Sequence, residues 1–157
     1  MLHKSAPPLL LFFMIFCSAC DKAMTDTEDN GNIQGYADSQ VVGSWKITAI
    51  SSDKPNDWDG NGTKETNIYA TWSECTKDNL YTFVGNKTGS YKTDCSNTKE
   101  GEWYITDDRK SIIYTAIGGF PEQDLITSLT SNQFNTRKTL FLTNGTSFVI
   151  SKTWTRQ

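Results

Sequence analysis

Eight short stretches rich in β-branched and aromatic residues fill the chain from residue 41 to its end, nearly all joined through turns of hairpin length. That spacing constrains the fold more than any other feature. Strands joined so tightly pair as antiparallel neighbours. Eight of them either stay open, with two unpaired edges, or close into an up-and-down barrel that has none. The first stretch is "VVGSWKITAIS", residues 41–51. Two strands follow around a turn at residues 85–89, two around "DDRK", and two around Ser131-Asn132. The last hairpin turns on Asn144-Gly145, a pair that favours a type I′ turn. After the first strand come a long polar loop, residues 53–67, and "IYATWSEC", which reads as a helical turn.

Alternation along these stretches separates two faces. Trp45, Ile47 and Ala49 share one with Tyr81, Phe83, Trp103, Ile105, Ile112, Tyr114, Phe148, Ile150 and Trp154. Lys46, Thr48, Thr82, Glu102 and Thr106 fall on the other. This is the pattern of one apolar core with water outside. Between residues 124 and 137 the alternation breaks, which predicts a bulge. The expected fold is all-β: an eight-stranded antiparallel barrel over residues 41–157.

The N-terminus differs in kind. "MLHK" is weakly basic, and "PPLLLFFMIFCSA" is an apolar run too short to span a bilayer. Residues 1–19 have the layout of a secretory signal. The signal ends at "CSAC-DK". This resembles a bacterial lipoprotein signal, cut before Cys20, whose sulfur would carry a diacylglyceryl anchor. It departs from that pattern at Cys17, where Leu is usual. Cleavage after Ala19 with a free Cys20 is the other reading. The anchor would hold the protein at the cell envelope, with the outer membrane as the expected site. Residues 20–40 are polar and acidic and read as a flexible tether.

Removing the signal removes His3, the one histidine of the chain. The remainder then lacks Ser-His-Asp and Cys-His catalysis and histidine-ligated zinc. Asp107-Asp108 sits in a turn, and Glu100 and Glu102 straddle a strand start. Neither pair is tied to a pocket, so no catalytic residues are assigned and the protein is read as a non-enzyme. The net charge is -3 and no block of Lys or Arg occurs, so nothing favours nucleic acid. Cys75 and Cys95 predict a disulfide in an oxidising compartment, with a reactive thiol pair as the alternative.

Two further motifs stand out. In "DWDGNGTKE", Asp57, Asp59 and Asn61 are spaced i, i+2, i+4 with Gly62 next, as at the start of a calcium loop. Thr63 and Glu65 would add oxygens, but Ile68 stands where an EF-hand needs its bidentate Glu. A looser calcium site and a plain turn-forming loop both fit. The three Asn-x-Thr triplets at Asn61, Asn86 and Asn144 read as turn residues in a bacterial lipoprotein.

Gly43-x-Trp45 is similar to the lipocalin fingerprint. The order "CTKDNLYTF", Cys95, "EGEWYITDD" and "LITSLT" resembles the lipocalin-like domains of secreted lipoproteins of the Bacteroides group. The resemblance covers residues 41–155. It implies that Trp45 plugs the closed end of the barrel while Gly43 allows close packing. A late Arg should cover the Trp, with Lys152 and Arg156 as candidates. Tyr81, Phe83, Tyr91, Trp103 and Tyr114 would then line the interior, either as the wall of a cavity for a small apolar molecule or as a filled core. The functional expectation is an anchored, monomeric binder of such a molecule. The alternative is a protein-interaction or inhibitor module acting through its loops on a protein partner.

Overall fold

The computed structural model describes residues 35–157 except 96 and 117. Cys20 and the signal expected over residues 1–19 lie outside the described residues. Nine strands form a single sheet: β1 (Gly43–Asn56), β2 (Glu65–Asn67), β3 (Leu80–Phe83), β4 (Thr88–Lys92), β5 (Lys99–Ile105), β6 (Ser111–Ala116), β7 (Glu122–Leu129), β8 (Gln133–Phe141) and β9 (Ser147–Arg156). Each pairs antiparallel with its neighbour in the order β2-β1-β3-β4-β5-β6-β7-β8-β9, and β1 also pairs with β9. That last pairing, from Trp45 opposite Arg156 to Ser52 opposite Ile150, closes eight strands into a barrel. The ninth strand, β2, is a short edge on the distal half of β1.

The packed unit extends N-terminal of residue 41. Tyr36 packs against the core and its N–H donates to Arg109 O at 2.8 Å. Residues Asp38–Val41 form a helical turn, α1, so β1 begins at Gly43 and not at Val41. "IYATWSEC" spans two helical turns, α2 (Ile68–Thr71) and the start of α3 (Glu74–Lys77). Asn67 and Ser73 cap them, accepting from the N–H groups of Ala70 and Thr76. The expected disulfide is present between Cys75 in α3 and Cys95 beyond β4. Its sequence separation of 20 residues corresponds to roughly 3 kcal/mol in the chain-entropy picture.

Two bulges set which side chains face inward. The expected break in residues 124–137 is a register shift between Ile126 and Ser128 on β7. A second lies between Ile47 and Ala49, where β1 slips against β9. The slip inverts the phase, so Ala49 faces solvent and Ile50 and Ser52 are buried, correcting the inward place expected for Ala49.

The hairpin turns also differ from expectation. At residues 142–146 only Gly145 has positive φ, 81°. Gly145 N–H donates to Leu142 O and Leu142 N–H to Thr146 O. This is a type I turn with a bulged Gly, not type I′. The turn at 84–88 has the same bonds with Lys87 at φ 72°. Asn61, Asn86 and Asn144 each accept from the N–H of the Thr two residues on, as turn residues do.

Asn79 joins the helical segment to the barrel where β3 stops pairing with β1. Its side chain is 2% exposed. Oδ1 accepts from Ile47 N–H at 2.7 Å, and Nδ2 donates to Ile47 O at 3.2 Å, so the amide replaces a rung of the ladder. Nδ2 also meets the carbonyls of Thr76 and Lys77. Asn79→Ala leaves buried backbone groups unpaired and should cost about 2–4 kcal/mol. Urea unfolding followed by tryptophan fluorescence measures the loss.

Candidate functional site

The ends of the barrel are chemically different. At one end lie the start of β1, the end of β9 and the turns at 84–87, 106–110 and 130–132. Trp45 fills this end and is fully buried. Its Nε1 donates to Val41 O at 2.7 Å, and Phe134 meets it edge-on at 4.7 Å between ring centroids. Such a ring pair contributes about 0.5–1.5 kcal/mol beyond the area it buries.

Of the two candidates for the covering cation, the structure selects Arg156. Its guanidinium stands 4.1 Å from the centre of the Trp45 ring. It donates to Val42 O at 2.8 Å, Gln40 O at 3.1 Å and Ser131 O at 2.5 Å. Gly43 has φ +135°, and a Cβ there would stand 2.1 Å from Arg156 Nη1. The glycine is therefore required twice, by its conformation and by the guanidinium beside it.

Phe83 and Trp103 belong to the packed core. Both are 1% exposed, their rings are 5.4 Å apart, and Trp103 Nε1 donates to Val84 O. They fill space and do not border the cavity, which corrects their placement as ligand walls. Trp154 stacks on Phe134 at 5.0 Å and completes this filled half.

Toward the other end a cavity of about 280 Å³ remains. Tyr81, Tyr91 and Tyr114 line it with Ile47, Ile50 and Trp72. Phe120, 94% exposed, stands on its rim with the ion pair of Glu122 and Lys138. Trp72 follows α2, and the disulfide ties the neighbouring α3 to the chain beyond β4. The interior is thus neither wholly filled nor wholly open.

One charged group also reaches the cavity. Lys152 lies on the inward phase of β9 between Ile150 and Trp154 and is 8% exposed. Its Nζ donates to Asp124 Oδ2 at 2.8 Å and to Tyr114 Oη at 3.0 Å. Asp124, on β7, is fully buried and does not border the cavity. Its Oδ2 also meets Tyr114 Oη at 3.3 Å and Thr136 Oγ1 at 3.2 Å. Asp124 Oδ1 is buried without a hydrogen bond. Thr136 in turn accepts from Trp154 Nε1 at 3.0 Å. The pattern of alternation held a signal for Lys152, because it shares phase with Ile150 and Trp154. Asp124 sits where the bulge obscures the phase.

Burial raises all three tyrosines above the ordinary phenol range. Tyr114 is raised well above it, by burial first and then by Asp124. Tyr81 is raised by burial, then by Glu122 and Asp124. Tyr91 is pushed up to about 12 by burial and then Glu102, while its hydroxyl donates to Glu102 O at 2.7 Å. Raised phenols favour folding below about pH 10, and that contribution fades as pH climbs toward the folded values. The three should give no tyrosinate absorbance at 295 nm through about pH 10 in the folded protein. Their signal should appear together with unfolding, monitored by circular dichroism.

The Asp/Asn/Gly loop spends most of its side-chain oxygens on itself, while Asp57 Oδ1 is buried with no hydrogen-bond partner among the described residues. Asp57 Oδ2 accepts from Gly62 N–H, Asp59 Oδ1 from Asn61 N–H, and Asn61 Oδ1 from Thr63 N–H. Glu65 Oε1 accepts from Trp58 N–H. Among the described residues no group of three or more His, Cys, Asp or Glu is placed to hold a metal ion. A self-capped loop should give the same melting temperature in millimolar calcium as in chelator. A rise with calcium would mark a site, since a ligand of the native state alone stabilises it.

The chain is thus a closed antiparallel barrel, sealed at one end by Gly-x-Trp under an Arg and hollow toward the other. Residues 41–136 match the lipocalin-like domain family, and the chain belongs to that family. Its fold is similar to that of insecticyanin from the tobacco hornworm Manduca sexta. The TM-score is 0.52 over 82% of this chain and 67% of that one, at 12% sequence identity. No curated protein matches the sequence.

Proposed function

We propose that the protein is a non-enzymatic binder that takes a small, mainly apolar molecule into the open half of its barrel, as a monomer held at the bacterial cell envelope by lipid on Cys20. The observation that carries the binding reading is the cavity of about 280 Å³ walled by Tyr81, Tyr91, Tyr114, Ile47 and Ile50 above a filled closed end. Aromatic and aliphatic walls with a few polar atoms are what a small-molecule site requires. The anchor and the outer-membrane location rest on the sequence of residues 1–20. The family supports a binding role over a catalytic one.

A neutral apolar fluorophore tests the reading. N-phenyl-1-naphthylamine should bind saturably to the domain with a blue-shifted emission. Ala116→Phe places a ring in the cavity that Ala116 borders and should abolish the binding without unfolding the barrel. Equal binding by this variant would put the fluorophore elsewhere.

A further inference from the structure

We infer that the cavity selects an apolar ligand carrying one uncharged hydrogen-bond acceptor, such as a ketone or ester carbonyl, seated on the Lys152 ammonium. This rests on the reading that the barrel interior is the binding site. An ammonium has three N–H donors. Lys152 spends two, on Asp124 Oδ2 and Tyr114 Oη. Lys152 borders the cavity, and among the described residues its Nζ meets no third acceptor, which leaves that donor for the occupant. The Tyr91 and Tyr114 hydroxyls are already engaged, with Glu102 O and Asp124.

Charge balance decides the kind of acceptor. Lys152 is neutralised by Asp124 at 2.8 Å, and Glu122 at the rim is neutralised by Lys138. Asp124 Oδ1 already lacks a donor. A ligand carboxylate would add a buried negative charge with no cation left to balance it. A hydrocarbon would cover the third N–H and leave it unpaired. A carbonyl satisfies the donor and adds no charge.

Three probes of equal heavy-atom count separate the cases: acetophenone, benzoate and isopropylbenzene. Affinities are measured by calorimetry on the wild type, on the double variant Asp124→Asn/Lys152→Met, and on Tyr81→Phe. The double variant removes both charges together, which avoids stranding one of them. The affinity ratio of acetophenone to isopropylbenzene should fall about tenfold in the double variant, the size of one hydrogen bond to a charged donor. Comparing the ratio between proteins cancels the different hydrophobicities of the two probes. Benzoate should bind the wild type more weakly than acetophenone. An unchanged ratio in the double variant, a loss confined to Tyr81→Phe, or tighter binding of benzoate overturns the proposal. If acetophenone and isopropylbenzene bind but the ratio does not move, the binding reading stands and the selectivity falls. If none of the three binds, the binding reading falls and takes the selectivity with it. Should the double variant fail to fold, carbonyl-labelled acetophenone bound to the wild type gives the answer. Its carbon resonance should lie at or downfield of its aqueous position, and a hydrocarbon-like position contradicts the proposal.

Discussion

The Arg156 guanidinium holds the closed end of the barrel together. It lies over Trp45 and ties the end of β9 both to Gln40 and Val42, near the start of the barrel, and to Ser131. Trp45 opposes Arg156 in the β1–β9 pairing that closes the sheet. Closure of the ladder and sealing of the end therefore share one residue pair. Gly43 follows from the same contact, because a side chain there would occupy the place of the guanidinium. The Gly-x-Trp signature is in this sense a statement about an arginine more than 100 residues away in the chain.

With that end sealed, the interior divides. Trp45, Phe83, Trp103, Phe134 and Trp154 pack the lower half to near-complete burial. Burying a side chain such as Phe134 stabilises the fold by roughly 1.5–3 kcal/mol. Above this layer lies the polar cluster of Lys152, Asp124, Tyr114 and Thr136, and the cavity adjoins it through Lys152 and Tyr114. A buried ion pair is weak evidence for stability, since well-packed apolar groups often do as well. Its presence beside a cavity gives the apolar interior a defined polar point. Trp72, which lies between the helical turns α2 and α3, borders the same opening.

Much of the fold was legible because its signals are local. Eight alternating stretches with turn residues between them specify antiparallel neighbours, and closure follows from the cost of bare edges. What escaped depends on partners distant in the chain. The phase of Ala49 reads inward along the sequence and is reversed only by the slip of β1 against β9. Asn79 looks like a turn residue, yet it serves as a rung for Ile47. Phe83 and Trp103 have the same alternation as Tyr81 and Tyr91, and only depth along the barrel axis separates core from cavity wall. Lys152 was visible on the inward phase, but its partner Asp124 was hidden by the bulge that follows it on β7.

The central claim is that the closed half is solid and the space above it is where a ligand sits. A crystal structure of the domain with N-phenyl-1-naphthylamine bound tests it most directly. Density for the fluorophore is expected against Tyr81, Tyr91 and Tyr114, with Trp45 and Arg156 unmoved. Density on the outer surface or among the loops, with the cavity closed by collapsed side chains, would contradict it.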